Sequence, residues 1–304
     1  MDYTIFYKTS FENGNVEYST KYDYFFSGFD DCERTKYIFD KVSSENKFWI
    51  DFPHYKLGLT GENVYKCPSS KEDEAFIDLF GALKLTDSTK ICIDITGFLR
   101  PHLVFFIAAL YQMGIKKIDF LYSEPYHYKN AEETTFSGFI KDVRLIEGCT
   151  SLINNPNTEN DLLIITAGYD DKLVAKVSQY KSKIKNKFYI LGLPSLQPDM
   201  YQESVLKMIN AKESIGTITP HFSPAFDPFV TAQTIHEIVE SVETYSNIYL
   251  SPVSTKPQTL GIVLYYLWNF KNKPVNIVYP FSAIYNSRTA VGLKKTWKYS
   301  FELP

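Results

Sequence analysis

An internal repeat constrains the fold of this chain more than any other feature. The segments Gly28–Asp31 and Asn46–Ile50 return after a fixed interval as Gly168–Asp171 and Asn186–Ile190. Both copies keep the Gly, the two Asp, and an Asn-Lys-Phe-aromatic-Ile run in the same order. A fixed internal offset is the mark that gene duplication leaves in a sequence. The chain is therefore expected to fold as two like units.

Strand patterns alternate with helix patterns through both halves of the chain. In the first half, for example, an apolar strand at Lys90–Ile95 precedes an apolar helix at Pro101–Met113. This alternation implies right-handed crossovers and a mainly parallel sheet. We predict an α/β fold of two tandem Rossmann-like units with mainly parallel sheets, residues 1–152 and 153–304, joined through the Asn-rich segment Ser151–Asp161. Further edge strands are predicted at Thr4–Phe6, Val16–Ser19 and Thr296–Leu303.

Composition limits the classes of partner that this chain is expected to have. The 304 residues carry a formal net charge of -3, which argues against direct nucleic-acid binding. The longest apolar run, Leu103–Leu110, is too short to cross a bilayer. The four cysteines form no Cys-x-x-Cys pair, which is typical of free thiols in a reducing compartment. We expect a cytoplasmic protein without a membrane partner.

The turn after the strand at Lys90–Ile95 has the residues that an anion site needs. Ligands of open parallel sheets bind beyond the carboxyl ends of the strands, where helix N-termini present free amides. In this turn Thr96 offers a hydroxyl, Gly97 allows close backbone approach, and Arg100 offers a fork of donors suited to phosphate. These three residues are predicted to bind ligand.

A similar turn follows a strand in the second half. Ser254, Thr255 and Lys256 supply two hydroxyls and an ammonium before Pro257 and an apolar helix. The alternative is ordinary helix capping, because Ser and Thr are good N-caps and Pro is favoured in the first turn. A cation at a helix start opposes the helix dipole, however, and it occurs in both halves. Both readings stay open, and we predict these three residues as ligand contacts.

Polar and aromatic residues follow the next strand of the first half. Tyr122 and Tyr126 could stack on a nucleobase, and Glu124 could accept from an exocyclic amine or a ribose hydroxyl. We predict all three as base contacts, and a structural role for the tyrosines is the alternative.

Three carboxylates define a competing, metal-dependent hypothesis. Asp30 and Asp31 come directly after a strand, and carboxylates in such a place can hold magnesium for phosphoryl chemistry. The alternative is that they cap the following helix. Asp94 lies inside an apolar strand, so it needs a buried partner, for which Arg100 or Lys256 are candidates. We expect no metal and no cofactor, with magnesium only under this hypothesis.

The two helix-start turns also carry a resemblance to a known family. Asp94-Ile-Thr-Gly97 with Arg100, and Ser254-Thr255-Lys256-Pro257, resemble the ligand loops of CARF-type domains, which are Rossmann-like sensors of prokaryotic defence. The tandem arrangement is similar to that of SAVED domains. The resemblance implies a pocket between the two halves for a cyclic oligonucleotide, and an output through a partner protein such as an ATPase or nuclease.

The sequence leads to three functional hypotheses. The first is a sensor or accessory subunit of antiphage defence that binds a nucleotide or a cyclic-oligonucleotide-like phosphate ligand between its halves. The second is a metal-dependent hydrolase or transferase acting on nucleotides or nucleic acid. The third is a structural subunit of a defence complex. Enzymatic activity is left open, and a binding protein is favoured.

Overall fold

The computed structural model describes residues 1–12, 20–128, 138–210, 220–287 and 290–304 of the chain. The strands, in chain order, are β1 (Lys8–Glu12), β2 (Tyr22–Gly28), β3 (Ser44–Asp51), β4 (Val64–Lys66), β5 (Ile91–Asp94), β6 (Lys117–Glu124), β7 (His127–Tyr128), β8 (Ile140–Leu145), β9 (Leu162–Ala167), β10 (Asn186–Gly192), β11 (Pro220–Ser223), β12 (Ile248–Pro252), β13 (Val275–Ser282), β14 (Ala290–Val291) and β15 (Lys295–Glu302). The α-helices are α1 (Glu33–Lys41), α2 (Ile77–Ala82), α3 (Arg100–Gln112), α4 (Asp171–Tyr180), α5 (Pro198–Asn210), α6 (Pro228–Ser241) and α7 (Lys256–Asn269).

The chain divides into two compact units. One unit, here called the N-terminal unit, comprises Phe6–Phe139 and Ser282–Pro304. The other, the C-terminal unit, comprises Met1–Ile5 and Ile140–Phe281. Each unit contains its own sheet with helices in the crossovers, so the predicted mainly parallel α/β architecture is confirmed.

The N-terminal unit is built on a seven-stranded sheet in the order β1-β15-β6-β5-β2-β3-β4. The five strands from β6 to β4 are parallel, and β15 and β1 add antiparallel to one side. Strands β2 and β5 lie side by side although α1, β3, β4 and α2 separate them in the chain. Since right-handed crossovers from β2 and β5 run in opposite directions, α1 and α3 cover opposite faces.

The C-terminal unit has a six-stranded sheet in the order β11-β10-β9-β12-β13-β8. Its strands β9 to β13 take the same relative order as β2 to β6 do in the N-terminal unit, and the two repeated segments occupy the same strand–helix–strand position. Strands β9 and β12 are therefore the neighbours between which the direction of the crossovers reverses.

Aromatic packing fills the space under α3 in the N-terminal unit. Phe106 is fully buried, and its ring lies 4.9 to 5.7 Å between centroids from the rings of Phe26, Phe76 and Phe98. Such edge-to-face contacts stabilise a core beyond the area that they bury. Many of the aromatic residues of this chain thus belong to the core, and this packing fixes the start of α3.

The predicted domain boundary at 152/153 differs from the division into units. The tail joins the N-terminal unit because β15 pairs along β6, as an interior strand rather than the predicted edge strand. The segment Ser151–Asp161 lies within the C-terminal unit, where the backbone amides of Ser151 and Asn155 donate to Asn276 and Asn247. These hydrogen bonds tie the predicted linker to the sheet.

The two short strands predicted near the N-terminus have different outcomes. The prediction of a strand at Thr4–Phe6 was wrong, since Tyr3–Ile5 forms a 3-10 turn in the C-terminal unit. Here the side chain of Gln233 accepts from the Tyr3 amide, and the Tyr3 hydroxyl accepts from Asn269. The strand predicted at Val16–Ser19 lies outside the described residues.

Candidate functional site

The candidate site is the carboxyl edge of the N-terminal sheet, at the point where β2 and β5 meet. The turn after β2 touches the turn after β5, and a Cβ placed on Gly97 would lie 1.8 Å from the carbonyl oxygen of Gly28. Only glycine fits at such a distance. The two backbones therefore meet where open α/β sheets bind their ligands.

The start of α3 lies at this edge and carries a cation. Arg100 is the first helical residue and Pro101 the second, and the N-cap residue Leu99 offers no side-chain hydrogen bond to the free amides. The first turn contains no acidic residue. A guanidinium here works against the positive end of the helix dipole, so the segment as a whole presents positive charge. The helix predicted at Pro101–Met113 is confirmed, with its start one residue earlier, at Arg100.

The buried carboxylate Asp94 is held by neutral donors. Its Oδ2 accepts from the Ser27 hydroxyl at 2.8 Å, and its Oδ1 accepts from the Thr96 amide at 3.0 Å. Burial raises the pKa of Asp94 to about 6, against the effect of these hydrogen bonds. Arg100 or Lys256 was predicted as the partner of Asp94, and the structure instead shows a hydroxyl and a backbone amide as its hydrogen-bond donors.

Thr96 links the ends of β5 and β6. It is buried, and its Oγ1 accepts from the backbone amide of Ser123 at 3.0 Å. The hydroxyl that was predicted to position a ligand therefore has a structural contact, and it places Ser123 beside the Thr96–Gly97 turn.

The two aspartates after β2 are engaged at the start of α1. Oδ1 of Asp30 accepts from the Cys32 amide and the Thr35 hydroxyl, at 3.1 and 2.8 Å. Asp31 has a left-handed backbone and pairs with Lys36 at 2.5 Å. The N-cap of α1 is Cys32 and no side chain caps it, so these are turn contacts and neither aspartate takes the predicted capping role. Within the described parts of the chain, no group of three or more His, Cys, Asp or Glu could hold a metal ion.

Arg34 is a site residue that the sequence reasoning missed. It lies on α1 with 6% of its surface exposed, and its Nη1 donates to the carbonyl of Ser123 at 2.8 Å. Burial lowers the pKa of the guanidinium, but the electrostatic effect of nearby Tyr128, Asp30 and Tyr122 outweighs burial and raises the pKa above its ordinary value. Arg34 therefore stays charged. One signal could have found it: at the repeat offset, Arg34 aligns with Val174, a buried apolar residue.

Tyr55 is a second missed residue. Its hydroxyl donates to the carbonyl of Gly97 at 3.1 Å, so it closes over the turn after β5. Burial raises the pKa of the Tyr55 hydroxyl, Asp30 adds to this effect, and Arg100 and Arg34 act against it. Tyr55 thus packs on the turn that leads from β5 to Arg100 at the start of α3.

The residues predicted as base contacts differ in how accessible they are. Tyr122 is buried with its hydroxyl 3.4 Å from that of Tyr128, and burial raises its pKa. Glu124 is buried too, and its Oε1 accepts from the indole of Trp297 at 2.6 Å. Tyr126 has 57% of its surface exposed. Of the three, Tyr126 is the one whose ring is accessible for stacking.

The predicted residues of the second half gather at the corresponding point of the C-terminal sheet. A Cβ placed on Gly168 would lie 2.8 Å from the Cα of Ser254, so the turns after β9 and β12 also meet. Lys256 is the first residue of α7. Thr255 is its N-cap: its hydroxyl accepts from the Gln258 amide and donates to the carbonyl of Ala225. The geometry of Thr255 matches the capping alternative.

Comparison with known proteins adds no relative. No protein-family profile, no curated protein and no solved structure matches this chain. Among the helices in the described ranges, none is both long and apolar enough to cross a bilayer. The strand order and the alternation of strands with helices define an α/β protein with Rossmann-like units.

Proposed function

We propose that the N-terminal unit binds a phosphate-bearing ligand, either a nucleotide or a cyclic-oligonucleotide-like molecule, in the crevice where β2 and β5 meet. Two neighbouring observations carry this proposal. Gly28 contacts Gly97, and three residues after Gly97 the chain places Arg100 at the first position of α3. The free amides of a helix start and a guanidinium are groups that bind phosphate.

Each predicted residue has a part in this proposal. Arg100 binds phosphate, Gly97 allows the turn after β5 to pack directly on Gly28, and Thr96 holds the turn in place through Ser123. The exposed ring of Tyr126 stacks on a base at the rim. Tyr122 and Glu124 line the end of β6 beneath it, as buried groups that shape the crevice.

We infer that the two units arose by duplication, because the sequence repeat and the common strand order support the same alignment. In this proposal the C-terminal unit kept the fold and the cation, Lys256, whereas Thr255 serves as a helix cap. Ser254 is buried against Gly168 and acts as a packing residue of that turn. The C-terminal turn is thus the weaker ligand site.

The biological part of the proposal rests on the resemblance to CARF and SAVED domains. We propose a cytoplasmic sensor or accessory subunit of prokaryotic antiphage defence whose output passes through a partner such as an ATPase or nuclease. The described cysteines are free and buried, which is compatible with a reducing compartment. A structural subunit with empty crevices is the alternative.

The metal-dependent hydrolase or transferase stays a prediction. Asp30, Asp31 and Asp94 each have protein partners at the strand ends, and none of these contacts favours a metal over a role in holding the turns. Turnover that requires magnesium or manganese, and that is lost in Asp31→Asn, would support that hypothesis in place of the binding function.

Calorimetric titration with a nucleotide panel tests the proposal. We expect Arg100→Ala to weaken binding of the best ligand by roughly 10- to 100-fold, because a charge-assisted hydrogen bond contributes about 1.5 to 3 kcal/mol. Arg144→Ala is the matched control, since Arg144 lies over Phe281 in the C-terminal unit. Lys256→Ala reports whether the second turn contributes. Identical isotherms for wild type and Arg100→Ala would remove the proposal, provided that both proteins have the same thermal midpoint.

A further inference from the structure

Arg34 occupies a position that belongs to the protein core. It lies one turn before Ile38 on α1, and both side chains are buried. In the C-terminal unit the aligned residue is Val174, which is fully buried on α4. The N-terminal unit thus holds a permanent charge where its counterpart holds an apolar side chain. A buried charge is costly unless it is paired, so its presence calls for a reason.

The guanidinium lies across the end of β5. Arg34 is on α1, which follows β2, and its Nη1 donates to the carbonyl of Ser123 in β6. Because β5 lies between β2 and β6 in the sheet, the side chain has to cross over the carboxyl end of β5 to make this bond. This is the place of the Thr96–Gly97 turn, and Thr96 in turn holds the Ser123 amide. Arg34 therefore lies next to the turn after β5.

Among the described residues, none bonds to one edge of this guanidinium. Nε is buried and makes no hydrogen bond, while Nη1 is used by Ser123. Among the described residues, no carboxylate forms an ion pair with Arg34, and the nearby Asp30 uses its Oδ1 for the Cys32 amide and the Thr35 hydroxyl. The edge made by Nε and Nη2 is the one that binds two oxygens of a carboxylate or phosphate side by side.

We propose that Arg34 is the buried anion receptor of the crevice, and that its Nε–Nη2 edge binds two oxygens of a ligand phosphate. The proposal deepens the function proposed above and rests on it for the identity of the ligand. Phosphate suits the site better than carboxylate because Arg34 crosses the carboxyl end of β5 and Arg100 begins the helix that follows β5, and two guanidinium groups match a group or a ligand with more than one negative charge. Tyr122 and Tyr128 lie near the guanidinium, and their hydroxyl oxygens are 3.4 Å apart.

The test uses inorganic phosphate and pyrophosphate as probes, and full-length wild type, Arg34→Lys and Arg34→Met as proteins. Arg34→Lys keeps the charge but lacks the side-on edge. Arg34→Met places an apolar side chain where Val174 shows that one is accepted. The Nε–H signal of Arg34 in a proton–nitrogen spectrum is identified by its loss in Arg34→Lys. We expect this signal to shift on addition of phosphate, and both variants to bind pyrophosphate about tenfold or more weakly than wild type.

The outcomes separate this inference from the proposed function. If nucleotides bind in an Arg100-dependent manner while both Arg34 variants keep wild-type affinity and the Nε–H signal stays in place, Arg34 is only a tie to Ser123 and the inference is wrong. If inorganic phosphate shifts the Nε–H signal but no nucleotide binds, the inference stands and the proposed function fails. If no phosphate compound binds wild type at all, both are wrong.

Discussion

Replacement of Gly97 by alanine is expected to lower the free energy of unfolding by about 3 kcal/mol or more, at the upper end of the cost of overpacking. The new Cβ would lie 1.8 Å from the carbonyl oxygen of Gly28 and 3.4 Å from the amide of Asp30. The obstructing atoms are backbone, so they cannot move aside as a flexible side chain would. The turns after β2 and β5 have to separate, and the crevice opens with them.

The matched control for this variant is Gly81→Ala. Gly81 lies in α2 of the same unit, and a Cβ placed on it has no atom within 4 Å. Alanine is the better helix former, so this variant should be as stable as wild type or more stable by up to about 1 kcal/mol. Urea unfolding of the three proteins measures both effects. Equal midpoints for Gly97→Ala and Gly81→Ala would show that the two turns are not in contact.

The dependence of stability on pH is expected to contain two large contributions of opposite sign, from Asp94 and His54. Burial raises the pKa of Asp94 from 3.8 to about 6, so its contribution is present at low pH and is lost as pH rises through this window. Burial lowers the pKa of His54 from 6.5 to about 4, with nearby Glu72 acting against it. The contribution of His54 is therefore present near neutral pH and is lost as pH falls. Each amounts to roughly 3 kcal/mol, at about 1.4 kcal/mol for each pH unit between the two pKa values.

Single substitutions should separate these contributions. Asp94→Asn removes the acid but keeps an oxygen to accept from Thr96, and its stability is expected to rise from pH 4 to 6.5 more steeply than that of wild type. His54→Phe keeps a ring beside Tyr285, and its stability is expected to fall over the same range relative to wild type. Chemical denaturation at half-unit pH steps measures both slopes. Parallel curves for all three proteins would show that neither group carries a displaced pKa.

The sequence predicted the central strands well because strands such as β5 and β9 are buried on both faces and read as continuous apolar runs. The helix predicted at Pro101–Met113 is present and is shifted by one residue, to Arg100–Gln112. The domain boundary was harder to predict, because it depends on which sheet the chain ends join. Nothing local in Lys295–Glu302 indicates that it pairs with β6, far away in the chain.

The candidate site shows the same division between local and long-range information. The cation at the start of α3 could be read from Arg100 and Pro101, since a helix start is a local pattern. The contact of Gly28 with Gly97 depends on β2 and β5 becoming neighbours, which is a property of the sheet order. Arg34 looked like an ordinary charged helix residue until the fold placed it in the core.

The central claim is that the crevice of the N-terminal unit recognises phosphate, and ligand capture tests it most directly. Wild type and Arg100→Ala are incubated with a cytosolic metabolite extract and desalted, and the small molecules released by heat are identified by mass spectrometry. We predict that wild type retains a phosphate-bearing compound and that Arg100→Ala retains much less of it, because the weaker complex loses its ligand during desalting. Retention of the same compounds in the same amounts by both proteins, or capture of compounds without phosphate alone, would contradict the claim.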